Sequence, residues 1–214
     1  MANDGVEPAV ESVVESGVAV LADVASPSSG PGYAVLRAYM TDVASRYYRR
    51  PVSPGEVDGY LADDPSDDLA PPTGLLVLAR RNGTTVGCAG LRLLPDGIGE
   101  VKRVFVVPAE RGHGIARLLL ADLERRAREL GLRLLRLDTR ADLVEALTLY
   151  SSVGFERVPA FSTGPFAEVW LAKPLAPPRP PPTLPLIMQS ALIMQPALIM
   201  RRPGRRRARP SPRR

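Results

Sequence analysis

Hydrophobic positions along the chain follow two spacings, and these spacings separate predicted helices from predicted strands. Residues 33–48 are apolar at helical intervals, at Val35, Leu36, Tyr39, Met40, Val43 and Tyr47. Residues 115–130 show a second helical stripe, at Ile115, Leu119, Leu123, Ala127 and Leu130. Gly131 follows this stripe as a predicted helix stop. Dense apolar and β-branched runs at 17–25, 75–94, 98–107 and 132–139 predict strands.

Turn and capping residues set the borders of these elements. Asn82-Gly83 divides 75–94 into a predicted hairpin. Ser53, Pro54 and Glu56 form a capping-box pattern, which predicts a short helix through Leu61. Further along, the pattern predicts a helix over 141–153 and strands over 155–158 and 166–175. Helices and strands alternate irregularly, so we predict a mixed α/β sheet rather than a pure βαβ repeat.

Composition divides the chain into three parts. Residues 1–16 are predicted to be a flexible N-terminus, and residues 17–175 a single folded domain. Residues 176–214 are rich in proline and arginine and repeat Leu-Ile-Met three times, which predicts a disordered low-complexity tail. A membrane anchor in this tail is disfavoured, because prolines and glutamines interrupt its longest apolar stretch.

Charge and rare residues exclude several kinds of site. Nine arginines and no acidic residue follow residue 174, which leaves 19 basic against 23 acidic residues before it. A nucleic-acid surface is therefore expected only through the tail. Cys88 and His113 are each the only residue of their type, so no internal disulfide and no metal site are expected. The acidic N-terminus lacks a signal-peptide pattern, which favours a cytoplasmic protein.

The junction between the strand at 98–107 and the helix at 115–130 suggests an anion site. Gly112 and Gly114 lie where the helix begins, and Arg111 precedes them. A helix N-terminus exposes backbone N–H groups, and glycine lets a ligand approach them, so the junction predicts a cradle for a pyrophosphate. The alternative is a tight turn with a surface arginine. Neither the dinucleotide-binding fingerprint nor a Gly-Lys-Ser/Thr loop fits the spacing.

Two segments resemble signatures of the GNAT superfamily of acyl-CoA-dependent N-acyltransferases. R-G-H-G-I-A at 111–116 resembles its motif A, and ALTLYSSVGFERV at 146–158 resembles its second signature. The resemblance covers roughly 17–175 and points more narrowly to a small bacterial subgroup of undefined substrate. It implies one domain with a mostly antiparallel sheet, splayed at a cofactor slot and flanked by helices. It also implies direct acetyl transfer from acetyl-CoA to a primary amine of a small molecule or peptide.

The resemblance also implies roles for particular residues. The backbone of Phe105, Val106 and Val107 would hold the acetyl carbonyl and the pantetheine arm. The pyrophosphate would be wrapped by Arg111, Gly112, His113, Gly114, Ile115, Ala116 and Arg117. Many members carry an asparagine where this chain has Leu143, so one pantetheine contact is in doubt.

Two residues are the catalytic candidates. Glu100 matches the position of a general base that acts through water, with a solvated strand-edge glutamate as the alternative. Tyr150 matches the tyrosine proposed as general acid, with a half-buried core tyrosine as the alternative. His113 occupies a variable position of the motif, and Cys88 is expected to be a small core residue rather than a nucleophile.

Other functions stay open at this point. The domain could bind acyl-CoA without catalysis, as a sensor or interaction module, or the arginine-rich tail could contact nucleic acid in a salt-dependent way. A homodimer is also left open. The amine acceptor is not identified, although the acidic run at 63–68 hints at a cationic amine.

Overall fold

Eight β-strands and four α-helices form the part of the chain that the computed structural model describes, residues 10–13 and 19–176, with side chains described from residue 22. The strands are β1 (Val10–Val13), β2 (Ala19–Ala25), β3 (Gly74–Arg81), β4 (Thr84–Leu94), β5 (Ile98–Val106), β6 (Leu134–Thr139), β7 (Glu156–Arg157) and β8 (Val169–Pro174). The helices are α1 (Gly30–Tyr48), α2 (Pro54–Asp63), α3 (Ile115–Glu129) and α4 (Val144–Ser152). Short 3₁₀ turns lie at Asp67–Leu69, Pro95–Gly97 and Pro108–Glu110.

All eight strands join one sheet in the order β1-β2-β3-β4-β5-β6-β8-β7. Every neighbouring pair is antiparallel except β5 and β6, which run parallel. These two strands pair only where Ile98–Glu100 lies beside Leu134–Arg136, and beyond that point they part. The prediction of a mixed, mostly antiparallel and splayed sheet is confirmed, and the splay lies between β5 and β6.

Helices cover both faces of the sheet and bury two hydrophobic clusters. α3 packs on one face through the predicted stripe, with Leu119 and Leu123 fully buried. α1 packs on the other face, where Val35 and Leu36 join Phe105. Leu130 departs from the prediction, because it is the C-cap of α3 and 52% exposed. The chain turns away just after it, at Gly131, whose φ is 75°.

The turn and cap predictions are confirmed. Asn82 and Gly83 both have positive φ, 51° and 77°, as a two-residue hairpin turn between β3 and β4 requires. Ser53 accepts a hydrogen bond from the Glu56 N–H, and the Glu56 side chain accepts one from the Ser53 N–H. α2 therefore begins at the predicted place and continues to Asp63.

A β-bulge in β5 was not predicted. Cys88 of β4 lies opposite Phe105 and Gly90 lies opposite Lys102, so two residues of β5 face one residue of β4. Arg103 sits in the bulge with φ of 56°, a conformation that non-glycine residues seldom adopt. The bulge bends β5 at the place where it leaves β6.

Several boundaries also differ from the prediction. Val10–Val13 pairs with β2, so four residues of the segment expected to be flexible form a strand. α4 begins at Val144 rather than 141, and the strand expected at 155–158 shortens to Glu156–Arg157. Residues 177–214 lie outside the described part, so the tail and the domain boundaries stay predictions.

Residues 10–13 and 19–176 contain neither a membrane-spanning helix nor a cluster of metal ligands. No helix there is long and apolar enough to cross a bilayer. No three His, Cys, Asp or Glu side chains come together there as a metal site would require.

Candidate active site

A cavity of about 1290 Å³ opens where β5 and β6 part. One end, here called the cradle end, is lined by residues of the segment 106–117. The other, here called the aromatic end, holds Tyr47, Tyr48, Tyr60 and Phe166. Residues of both β5 and β6, among them Glu100 and Arg136, also line the cavity.

The cradle end is built from backbone at the start of α3. Gly114 is the N-cap of this helix with φ of 75°, and Gly112 has φ of 82°. No heavy atom would lie within 4 Å of a Cβ built on either glycine, so both open onto free space. The six backbone N–H groups from Gly112 to Arg117 have no hydrogen-bond partner among the described residues. Such amides, with the helix dipole behind them, favour an anion.

Two arginines near the cradle end differ in their contacts. The Arg111 Nε donates to the Val106 carbonyl at 3.0 Å, and its Nη2 donates to Asp42 at 2.9 Å. Arg111 therefore fixes the loop to β5 and α1, and it does not present the free guanidinium that the sequence suggested. Arg117, which also lines the cavity, has no acidic partner in the described part of the chain. Among the described residues of the cradle end, Arg117 is therefore the cation that could pair with an anionic ligand.

Backbone groups of β5 extend the cradle end toward the splay. The Val107 N–H donates to the Val86 carbonyl at 2.9 Å, so it points toward β4. Because strand residues alternate in direction, the Val106 N–H points to the opposite side, into the slot. The Phe105 side chain is buried in the α1 cluster and serves as floor. Of the three residues expected to hold a ligand through backbone, Val106 offers its N–H most directly.

Tyr150 lies on α4 and borders the same cavity. Its ring packs edge-on against Phe155, with 5.8 Å between ring centroids. Burial raises the pKa of the Tyr150 phenol far above its ordinary value, and the nearby Tyr39 raises it further. Its hydroxyl has no hydrogen-bond partner among residues 19–176. The phenol is thus a neutral hydrogen-bond donor without an acceptor in the described part of the chain.

Glu100 is buried at the point where β5 and β6 part. Its Oε2 accepts from Arg136 at 3.1 Å, across the last paired residues of the two strands. Its Oε1 lies 3.7 Å from Arg92 and 3.6 Å from Lys102. The alternative of a solvated strand-edge glutamate is wrong. Its role as a base stays a prediction.

Three other residues are placed as follows. Burial raises the pKa of the Cys88 thiol to about 12, and its Sγ donates to the Arg103 carbonyl, so it is a core residue and not a nucleophile. His113 is exposed in the cradle loop. Leu143 is the N-cap of α4 without a side-chain cap bond, and it lines the cavity where an asparagine would offer polar atoms.

The aromatic end contains features that the sequence did not reveal. The Tyr47 ring lies 5.2 Å from that of Phe166 and 4.9 Å from that of Tyr48, which stacks on Tyr60. Two of the four aspartates in the acidic run at 63–68 form internal ion pairs, Asp64 with Arg103 and Asp68 with Arg92. No local pattern predicts the contact of Tyr47 with Phe166 or the two ion pairs, because each of them joins segments far apart in sequence.

Hydrogen bonds hold one further carboxylate at this end. Ser162 donates to the Asp138 Oδ2 at 3.0 Å, and the Trp170 Nε1 donates to the Ser162 Oγ at 2.8 Å. Next to it, Phe161 lies under the Arg136 guanidinium, 4.3 Å from the ring centroid. The segment between β7 and β8 is thus fastened to the cavity face of β6.

Comparison with known proteins agrees with this geometry. Residues 37–155 match the model of the acetyltransferase (GNAT) family. An IAA acetyltransferase of Azospirillum brasilense is 39% identical over 132 residues, which are 56% of this chain and 86% of that protein. The N-alpha-acetyltransferase RimI of Mycobacterium tuberculosis is 40% identical over 112 residues, which are 48% of this chain and 69% of that protein.

Solved structures share the fold. A GNAT-family acetyltransferase from Staphylococcus aureus superposes with a TM-score of 0.59 at 18% identity, covering 72% of this chain and 99% of that one. The PaiA N-acetyltransferase of Thermoplasma acidophilum, solved in complex with coenzyme A, gives a TM-score of 0.56 at 15% identity over 72% of this chain and 98% of that one. Since the family model spans more than half of the 214 residues, this chain belongs to the GNAT family and is an acyl-CoA-dependent N-acetyltransferase that transfers an acetyl group from acetyl-CoA to an amine.

Proposed function

We propose that the chain acetylates a primary amine of a small molecule or peptide by direct transfer, with acetyl-CoA held along the cradle end and the amine at the aromatic end. The observation that carries the proposal is the row of amides from Gly112 to Arg117, which have no hydrogen-bond partner among the described residues and lie in the segment that lines the cavity at its cradle end. The open space at Gly112 and Gly114 leaves room for a pyrophosphate against those amides.

The cofactor fits this end by charge as well as by shape. Arg117 adds a cation beside the amides, and this cation has no acidic partner in the part of the chain that the structure describes. The Val106 N–H points into the slot and would meet the pantetheine arm or the thioester carbonyl. Bound there, acetyl-CoA supplies the activated acetyl group, and the chain orients it toward the aromatic end.

Direct transfer requires two proton movements, and the proposal assigns one residue to each of them. The amine must lose a proton before it attacks, and Glu100 is proposed to take that proton through a water at the splay. The departing sulfur needs a proton, and the neutral Tyr150 phenol is proposed to donate it. No covalent enzyme intermediate is needed, and the buried Cys88 offers no nucleophile for one.

A thiol-release assay with acetyl-CoA tests the proposal. Amino acids, polyamines, aminoglycosides and short peptides serve as the acceptor panel. We expect saturable release of coenzyme A with at least one amine, and acetylated product detected by mass spectrometry. Coenzyme A binding without turnover on any amine would instead identify a binding module, and failure to bind coenzyme A would refute the assignment of the cradle.

A further inference from the structure

Lysine is rare in this chain. Of its 28 basic residues only two, Lys102 and Lys173, are lysines, and the others are arginines. A guanidinium keeps its proton in proteins, whereas a lysine that loses its proton exposes a nucleophilic amine. Lys102 and Lys173 are therefore the two side-chain amines of this chain that an acetyl group could modify.

Lys102 lines the cavity beside the proposed general base. It follows Glu100 by two residues on β5, so its side chain leaves the same face of the strand, just past the last residue that pairs with β6. Its Nζ lies 3.6 Å from the Glu100 Oε1, and 26% of the side chain is exposed. Within the described part of the chain, Lys102 has no side-chain hydrogen bond and no other acidic neighbour. The ammonium is thus loosely held next to a carboxylate that can take its proton.

Lys173 has a different environment. It lies on β8 and is not among the residues that line the cavity. Its Nζ donates to the Glu124 Oε2 and to the Val153 carbonyl, both at 2.6 Å. These two short hydrogen bonds hold the ammonium in place and in its charged form. Lys173 is therefore an internal control for any reaction at Lys102.

The proposed place of the acetyl group is within reach of Lys102. Phe105, whose backbone would meet the acetyl carbonyl, lies three residues farther along β5, which is roughly 10 Å in an extended strand. The advance is shorter here, because two residues of the bulge between them oppose one residue of β4. A lysine amine on its flexible four-carbon stem can cover this gap.

Glu100 does not depend on Lys102 for its position. Its Oε2 accepts from the Arg136 Nε and Nη2 at 3.2 and 3.1 Å, and Arg92 lies near its Oε1. Acetylation would turn the Lys102 ammonium into a neutral amide and leave these contacts in place. The fold would be retained, and the added acetyl group would occupy the slot.

We propose that Lys102 is a self-acetylation site: without an acceptor, the chain transfers the acetyl group of its bound acetyl-CoA to the Lys102 Nζ and so blocks its own cavity. The inference rests on the proposed function for the place of acetyl-CoA, and it adds a modification that this function does not require.

The reaction uses groups already assigned. The Lys102 ammonium gives a proton to Glu100, and the freed Nζ lone pair attacks the thioester carbonyl. A C–N bond forms and the C–S bond breaks, Tyr150 protonates the departing sulfur, and the second proton of the nitrogen restores the Tyr150 phenol. Overall, the ammonium and acetyl-CoA become N-acetyl-lysine, coenzyme A and one proton, which Glu100 releases to solvent.

The test incubates the full chain with acetyl-CoA that carries a deuterated acetyl group, without any amine. Peptide mapping by mass spectrometry then locates the heavy acetyl group. We expect it on Lys102 and not on Lys173, at a rate per chain that does not change when the protein is diluted. An added amine acceptor should slow the labelling, because it competes for the same acetyl group.

Variants separate this reaction from simple chemical acetylation. Glu100→Gln should slow the labelling of Lys102 by about 10²–10⁴-fold, the usual contribution of a general base. Gly114→Glu, which disrupts the cradle end, should abolish it. Lys102→Arg should take up no label there, whereas Lys173→Arg should be labelled like the wild type.

Activity after labelling measures the consequence. Each protein is incubated with acetyl-CoA, freed of it, and assayed with an amine against its own untreated sample. The wild type and Lys173→Arg should lose activity in proportion to the label on Lys102. Lys102→Arg should keep whatever activity its untreated sample has.

Three results would overturn the inference. One is a chain that binds coenzyme A and leaves Lys102 unlabelled. Another is equal labelling of Lys173, or of Lys102 in Gly114→Glu, which would indicate reaction with acetyl-CoA in solution. The third is a labelling rate per chain that rises with protein concentration, which would indicate that one chain acetylates another. Turnover of added amines is measured on the same preparation, so the proposed function and this inference can fail separately.

Discussion

The two ends of the cavity are built in different ways. The cradle end comes from one continuous stretch, Val106 to Arg117, and the groups that it exposes are backbone amides. The aromatic end is assembled from side chains of α1, α2, β6 and the segment before β8. Within the described part of the chain, Arg117 at the cradle end has no acidic partner, whereas Asp63 and Asp138 at the aromatic end have no basic partner, so the unpaired charges of the two ends are opposite. A backbone cradle suits a cofactor that does not vary, whereas side chains can be exchanged to change the acceptor.

Glu100→Gln removes the proposed general base at the point where β5 and β6 part, and it has the largest expected effect. Removing a general base lowers kcat by about 10²–10⁴-fold, while the KM for acetyl-CoA barely moves. Raising the pH should partly rescue the variant, because more of the amine is then free in solution. Steady-state kinetics over a pH series measure this.

Arg136→Gln is the matched variant, because it removes the same buried ion pair and leaves the carboxylate in place. It should lower the thermal midpoint and retain most of kcat. An equal loss of kcat in both variants, without alkaline rescue in Glu100→Gln, would assign Glu100 a structural role.

Gly114→Glu tests the cradle end alone. It places a negative charge where the pyrophosphate would lie, so affinity for coenzyme A should fall by at least about 100-fold. Gly131→Glu is the matched control, because Gly131 lies at the other end of α3 with the same φ of 75° and equally open space. Each variant carries about 1–2 kcal/mol of left-handed strain. The helix dipole offsets part of this strain in Gly114→Glu and adds to it in Gly131→Glu, so the thermal midpoint of Gly131→Glu should drop more. Isothermal titration measures the affinity for coenzyme A. A normal affinity in Gly114→Glu would refute the assignment of the cradle end as the pyrophosphate site.

These two ends also differ in how far the sequence predicts them. The cradle was predictable because its geometry is local: glycines with positive φ at a strand-to-helix junction imply exposed amides wherever they occur. The Arg103 bulge was not predictable, because its register depends on how β4 pairs with β5. The use of Arg111 as a tether to Asp42 likewise depends on α1, 69 residues away in sequence.

The aromatic end could not be predicted for the same reason. The relay from Trp170 through Ser162 to Asp138 joins three segments that no local pattern connects. The acidic run at 63–68 pointed toward a cation, but two of its carboxylates serve Arg92 and Arg103. The charge left for a ligand depends on these pairings, and only the fold determines them.

Tyr150→Phe tests the proton donor with a smaller expected effect. Loss of the donor to the leaving sulfur should lower kcat by about 10- to 100-fold, somewhat below typical acid catalysis because solvent can substitute. The defect should shrink with an acyl donor whose thiol is more acidic. Tyr39→Phe, which removes the other buried tyrosine hydroxyl at the cavity, is the matched control. Loss of the same size with every acyl donor would contradict the role.

The raised pKa of Tyr150 also predicts how the wild-type rate depends on pH. The phenol stays protonated until the pH exceeds its raised folded value, so the acid form persists through the range where an ordinary tyrosine, near pKa 10, ionises. The wild-type rate should therefore not fall through that range because of Tyr150. A fall there that Tyr150→Phe abolishes would show an ordinary, solvated phenol.

Removing the tail should have the smallest effect, because we predict that neither end of the cavity depends on residues beyond Ala176. Leu175 is 6% exposed, and its N–H donates to the Arg133 carbonyl, so the domain needs it. A chain that ends after Ala176 should keep its thermal midpoint and its affinity for coenzyme A. A chain that ends after Lys173 loses the Leu175 side chain and should be destabilised by about 2–4 kcal/mol, the cost of emptying a buried leucine site. Thermal denaturation and coenzyme A titration of the two truncations measure this difference. A large drop in the midpoint for the longer one would mean that residues beyond Ala176 pack on the domain and that the predicted boundary is wrong.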